Sequence, residues 1–122
     1  MSSVNKAILI GHTGKAAEVR EVGNDKKASF SLATAERYKR RDGEFVESTE
    51  WHSVECWGKL AEIAGKYILK GTMVYVEGKI RTEKYTDKNG EEKYITKIIA
   101  NAIQLLSKKE NMSEMDNDDL PD

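Results

Sequence analysis

With a single cysteine among its 122 residues, the chain can form no intramolecular disulfide, and a reducing, cytosolic setting is the simplest expectation. No apolar run approaches the roughly 20 residues that a membrane-spanning helix needs. The opening residues MSSVNKAILIG lack the charged stretch and long apolar core of a secretory leader, so a cytoplasmic protein is expected. Histidines are also scarce. HSVEC, from His52 to Cys56, hints at metal ligands, but two histidines and one cysteine in the whole chain are too few for a zinc site. No cofactor is expected. No Ser/His/Asp or paired-carboxylate pattern stands out, which argues against an enzyme. ILIGHTGKA looks like a phosphate-binding loop only at first glance. Two residues separate Gly11 from Gly14, and Ala16 stands where a Mg²⁺-binding hydroxyl belongs.

A strong net charge is missing too, but the overall value of −1 averages two unlike regions. From Ser107 to Asp122 six carboxylates face two lysines, giving −4 and leaving +3 on residues 1–106. A mildly basic domain, 1–106, is thus followed by an acidic segment, 107–122, whose composition predicts disorder.

Within the basic part, apolar periodicity predicts the elements. VNKAILIG reads as a strand ended by GHTGK, and AAEVREV continues it across a bend. ASFSLATAERYK alternates apolar and small polar residues, as a half-buried strand does. After the Asp42-Gly43 turn, FVESTEWHSVECW is the next strand. Leu60, Ile63, Ala64, Tyr67 and Ile68 then fall on one helical stripe, weakened by Gly65, with Lys70-Gly71 as basic last turn and terminating glycine. TMVYVEGKIRTEKY and KYITKIIANAIQLL form a hairpin around Asn89-Gly90. Three strands, a short helix and two more strands predict an all-β, five-stranded OB-fold barrel; a β-sandwich would want about seven strands.

The segment WHSVECW poses a problem for this scheme. Period-two alternation puts Trp51, Ser53, Glu55 and Trp57 on one face, and His52, Val54 and Cys56 on the other. Both tryptophans therefore share the polar face. Tyr38 and Tyr85 also stand among polar and basic residues, and Lys39, Arg40, Arg41, Lys59, Arg81, Lys84 and Lys88 are interleaved with the rings. Unpaired bases stack on such rings for about 1–3 kcal/mol each, while cations track the phosphates. Burial of the tryptophans in a subunit or partner interface is the bland alternative.

VNKAILIGHTGKAAEVR, TEWHSVECWGKLAEIAGKYILKG and VYVEGKIRTEKYTDKNGEEKY closely resemble the bacterial single-stranded DNA-binding protein family from about Val4 to Leu106. The resemblance implies an OB-fold homotetramer that coats single strands in DNA replication, repair and recombination, and is associated with the nucleoid. It implies that Tyr38, Trp51, Trp57 and Tyr85 stack on bases. Lys6, Lys59, Lys70 and Lys84, with Arg81, would meet phosphates, and His52 would lie in the tetramer interface. A primosome-type relative that bridges replication proteins is the alternative, although such relatives tend to lack the full aromatic set.

Three departures stand out. Ser53 replaces a frequent arginine and Glu83 a basic residue, which predicts a shallower salt dependence than in more basic relatives. Family tails end in a phenylalanine that engages partner proteins. Here Asp118, Asp119, Leu120 and Pro121 are present, but Asp122 follows. Either this chain recruits replication and repair partners poorly, or its natural end differs.

Overall fold

A computed structural model describes residues 2–106. In it the predicted alternation becomes six strands and one helix: β1 (Ala7–Thr13), β2 (Glu18–Val22), β3 (Asp25–Lys39), β4 (Phe45–Trp57), α1 (Lys59–Tyr67), β5 (Met73–Thr86) and β6 (Glu92–Leu105). The first predicted strand is divided in two. At the break, the Gly14 N–H donates to the Ser31 carbonyl and the Ala17 N–H to that of Ile68, so the chain leaves β1 before β2 begins.

The strand order is β1-β5-β6-β4-β3-β2, and β1 also pairs with β3 through His12↔Ala33 and Thr13↔Leu32. That extra pairing closes β1, β5, β6, β4 and β3 into the expected five-stranded barrel, with β2 as a flap on the edge of β3. Closure also needs a parallel seam between β4 and β6, formed by Ser53↔Lys97, Val54↔Ile98 and Glu55↔Ile99. Two glycines permit the tight curvature. A Cβ on Gly11 would collide with the Ala33 carbonyl, and one on Gly78, opposite the bulge at Asn101 of β6, with that of Ile99.

Ala28, Phe30 and Leu32 of β3, Val54 and Cys56 of β4, Val74 and Val76 of β5, and Ile98 and Ala100 of β6 fill the barrel. Fully burying a side chain such as Leu32 is worth about 1.5–3 kcal/mol. Burial pushes the Cys56 thiol up to about 11, so it remains protonated and unreactive at neutral pH.

The helix departs from expectation at its end and on its face. It stops at Tyr67, because Ile68 takes an extended backbone (φ −90°, ψ 105°) and is buried in the core. Lys66, not Lys70, is the basic residue of its last turn. Gly71 does have positive φ, 78°, but in the loop beyond. Ala61 and Ala64 are buried, whereas Ile63 and Tyr67 of the predicted stripe are exposed. Gly65 has a packing role: a Cβ there would press into Val19 of β2.

The loop after α1 is fastened to β1 by two buried threonines. The Thr13 hydroxyl donates to the Leu69 carbonyl (2.6 Å) and accepts from the Thr72 N–H (3.0 Å). The Thr72 hydroxyl accepts from the Leu69 N–H. Buried hydroxyls left without such partners would cost about 1–3 kcal/mol each.

Candidate nucleic-acid interface

Two long ribbons position the rings. β3 and β4 pair without a shift from Lys27↔Trp57 to Lys39↔Phe45, and β5 and β6 pair from Gly78↔Ala100 to Thr86↔Glu92. Both end in the same kind of turn. The Arg40 N–H donates to the Glu44 carbonyl and the Asp87 N–H to that of Glu91; Gly43 and Gly90 supply φ of 93° and 81°. The Asp42 carboxylate accepts from the Glu44 N–H and the Arg40 guanidinium, which hold it below the usual carboxylate range.

The parity reading of β4 holds. Trp51 and Trp57 are 57% and 39% exposed on the face that also carries Ser53 and Glu55, while His52, Val54 and Cys56 turn inward. The His52 ring shares a 2.9 Å hydrogen bond with the Thr34 hydroxyl, in a half-buried position. Trp51 passes close to Gly14, where a Cβ would approach the outer edge of the indole to 3.0 Å.

The seam joins the two ribbons into one continuous face. Ser53 pairs with Lys97, Lys97 with Arg81, Ile95 with Glu83, and Lys93 with Tyr85. Paired residues point the same way, so Tyr85, 48% exposed, belongs to the tryptophan face together with Arg81. Tyr38 does not. The unshifted β3–β4 register puts it on the pleat of Leu32 and Thr34, opposite Trp51, near the ribbon's tip.

The expected cations are similarly divided. Lys84 follows the pleat opposite Tyr85 and pairs with Glu92 at 3.4 Å. Lys6 pairs with Glu77 at 3.1 Å, and the Tyr75 hydroxyl donates to the same carboxylate. Lys59 opens α1, and Lys70 is exposed in the loop that follows it. Of the five, Arg81 is the one the strand registers place beside the tryptophans.

Two cations that the sequence did not single out are there as well. Lys27 lies 5.9 Å from the Trp57 ring centroid and 3.4 Å from Glu55. Lys97 donates to Glu55 at 3.1 Å and to Glu83 at 2.9 Å. Glu55 is only 5% exposed, and these two ammoniums make its burial tolerable. The hydrogen bond from Lys97 lowers the pKa of Glu83, and that same bond raises the pKa of Lys97. Lys15, Lys27, Ser29, Ser31, Ser53 and Lys97 border a cavity of about 330 Å³ above Glu55. No group of metal-ligating side chains occurs among the described residues.

A model of the single-strand binding protein family matches residues 4–106. The chain belongs to that family. Single-stranded DNA-binding proteins of Neisseria meningitidis serogroups A and B are each 47% identical to it over 105 residues, 85% of the chain. The chain spans only 60% of the length of those two relatives. Single-stranded DNA-binding protein 1 of Chlorobaculum tepidum is 42% identical over 110 residues, 88% of this chain and 68% of the relative. A solved structure described as the Plasmodium falciparum SSB complex with ssDNA matches with a TM-score of 0.82 at 33% identity. That match covers 88% of this chain and 98% of the other.

Family membership leaves the individual side chains to be argued from geometry. Trp51, Trp57, Tyr85 and Arg81 form one surface with Lys27 and Lys97, whereas Tyr38 and Lys84 lie on the opposite pleats and the registers do not bring Lys6, Lys59 or Lys70 onto it. Asp118, Asp119, Leu120 and Pro121 lie outside the described residues. No helix among the described residues is long and apolar enough to cross a membrane.

Proposed function

We propose that the chain binds and protects single-stranded DNA without sequence preference, as a non-enzymatic coating protein of replication, repair and recombination. One observation carries this reading: two exposed indoles and Tyr85 share a continuous face with Arg81, Lys27 and Lys97. Base faces are available to such rings only when the strand is unpaired, so the surface selects against duplex. The relatives' names, and the P. falciparum structure described as a complex with ssDNA, support the same reading. Residues 1–106 would be the binding domain and 107–122 an appended acidic segment. The setting would be cytoplasmic and nucleoid-associated.

The test is a titration with poly-dT followed by tryptophan emission, at low and high salt, with duplex as control. Strong quenching by the single strand and little by the duplex is expected. A folded protein whose emission ignores poly-dT would refute the reading.

A homotetramer is part of the proposal. Ile8 and Ile10 are half-exposed on the outer face of β1 and offer apolar area for self-association, and His52 sits half-buried beside Thr34. Replacing His52 with a bulkier residue should loosen the assembly. Sedimentation that shows an intact tetramer of that variant at low concentration would remove His52 from the interface.

A further inference from the structure

The carboxylate of Glu83 is held in an unusual way. Its Oε1 accepts from the Lys97 ammonium at 2.9 Å, and its Oε2 faces the Arg81 guanidinium at 3.7 Å. An anion with two oxygens thus bridges an ammonium and a guanidinium, an arrangement that the two non-bridging oxygens of a phosphodiester can reproduce. The cationic side of this arrangement is anchored independently of Glu83. Lys97 also donates to the buried Glu55, 42 residues away in the chain, and Lys27 braces the same carboxylate from the other side. Glu83 itself is half-buried on β5, two residues from Tyr85 on the same pleat, with 41% of its side chain still open to solvent.

We propose that Lys97 and Arg81 form a phosphate seat between the tryptophans and Tyr85, and that Glu83 occupies it in the uncomplexed chain as an internal stand-in for phosphate. This rests on the single-strand binding reading and adds a named subsite and a built-in competitor to it. An arriving strand must displace Glu83, and Lys97 keeps its position because Glu55 still holds it. Glu83 therefore tempers affinity, and one cation that could neutralise a phosphate is already neutralised from within.

The experiment compares wild type, Glu83→Gln and Glu62→Gln by fluorescence titration with a dT oligonucleotide across a salt series. Glu62→Gln removes an equal charge, but Glu62 lies on α1 and pairs with Lys26, on the pleat opposite Lys27. Freeing one cation for a phosphate should steepen the log–log salt slope by about 0.7 for a single strand. Glu83→Gln should show that steepening, with tighter binding at low salt, while Glu62→Gln stays near wild type. Adding Lys97→Gln to Glu83→Gln should abolish the gain. Equal steepening in both single variants, or none in Glu83→Gln, would overturn the seat. A wild-type chain that ignores the oligonucleotide would instead overturn the binding reading beneath it.

Discussion

The β3–β4 and β5–β6 ribbons have the same turn design and similar length, yet they are furnished differently. β3–β4 carries both tryptophans, and near its tip the Arg37 guanidinium lies 4.4 Å from the Phe45 ring centroid. β5–β6 carries ion pairs along both faces: Arg81–Glu83, Lys97–Glu83, Lys84–Glu92 and Lys93–Asp87. One ribbon offers both tryptophans with Lys27 beside them, the other offers Tyr85 among cations that are mostly already partnered. Stacking and charge are therefore separable contributions to the same surface, and each ribbon can be altered without dismantling the other.

The strongest way to break the comparison is at the root of the ring-bearing ribbon. Leu32 is fully buried, so Leu32→Ala should lower unfolding stability by about 2–5 kcal/mol in urea denaturation. Ile80→Ala, on an exposed part of the other ribbon, should stay within about 0.5 kcal/mol.

Next in size is the stacking term. Trp51→Ala should weaken binding to a dT oligonucleotide by about 1–3 kcal/mol while leaving the melting temperature nearly unchanged. An unaltered affinity in a folded variant would remove Trp51 from the platform. Tyr85→Ala sharpens the contrast: a loss as large as that of Trp51 would show that stacking is shared between the ribbons.

A smaller effect should appear with pH. Hydrogen bonding to Lys97 holds Glu83 below the usual carboxylate range, so its stabilising contribution is present above the unfolded-state value, about 4.3. The contribution is lost as pH falls through the lower folded-state value. Wild type should therefore melt above Glu83→Gln at neutral pH, with the gap closing in acid. A gap that widens in acid would contradict the assignment. The smallest effect belongs to Lys84→Gln, which breaks a solvent-exposed pair with Glu92 and should change stability by less than about 1 kcal/mol in thermal melts.

Strand-level features were legible in the sequence where a short-range rule governs them. Period-two alternation placed Trp51 and Trp57 outward and His52 inward, and Asp42-Gly43 and Asn89-Gly90 marked both turns. What depends on long-range register was not legible. Lys97 joins the tryptophan face because a parallel seam sets it beside Ser53, and Lys27 because it stands across from Trp57. Neither lies near an aromatic motif in the chain. The same logic separates Tyr38 from Trp51 although both are aromatic and polar-flanked: only the pairing register reveals their opposite pleats. Gly65 read as a weak point of the helix because its value, room for Val19, comes from another strand. The helix end was misplaced for a related reason. Ile68 looks like a further helical turn until the core claims its side chain.

The three-pair seam between β4 and β6 also bears on how the domain folds. Each ribbon can form from neighbours in sequence, but the seam must bring Ser53 to Lys97 across the helix and all of β5. Contacts so distant in the chain are slow to form, because closure entropy is spent before they begin to stabilise the product. The face that unites rings and cations is therefore completed only when the barrel shuts. Neither ribbon presents it alone, and a half-folded chain would lack the surface its finished form displays.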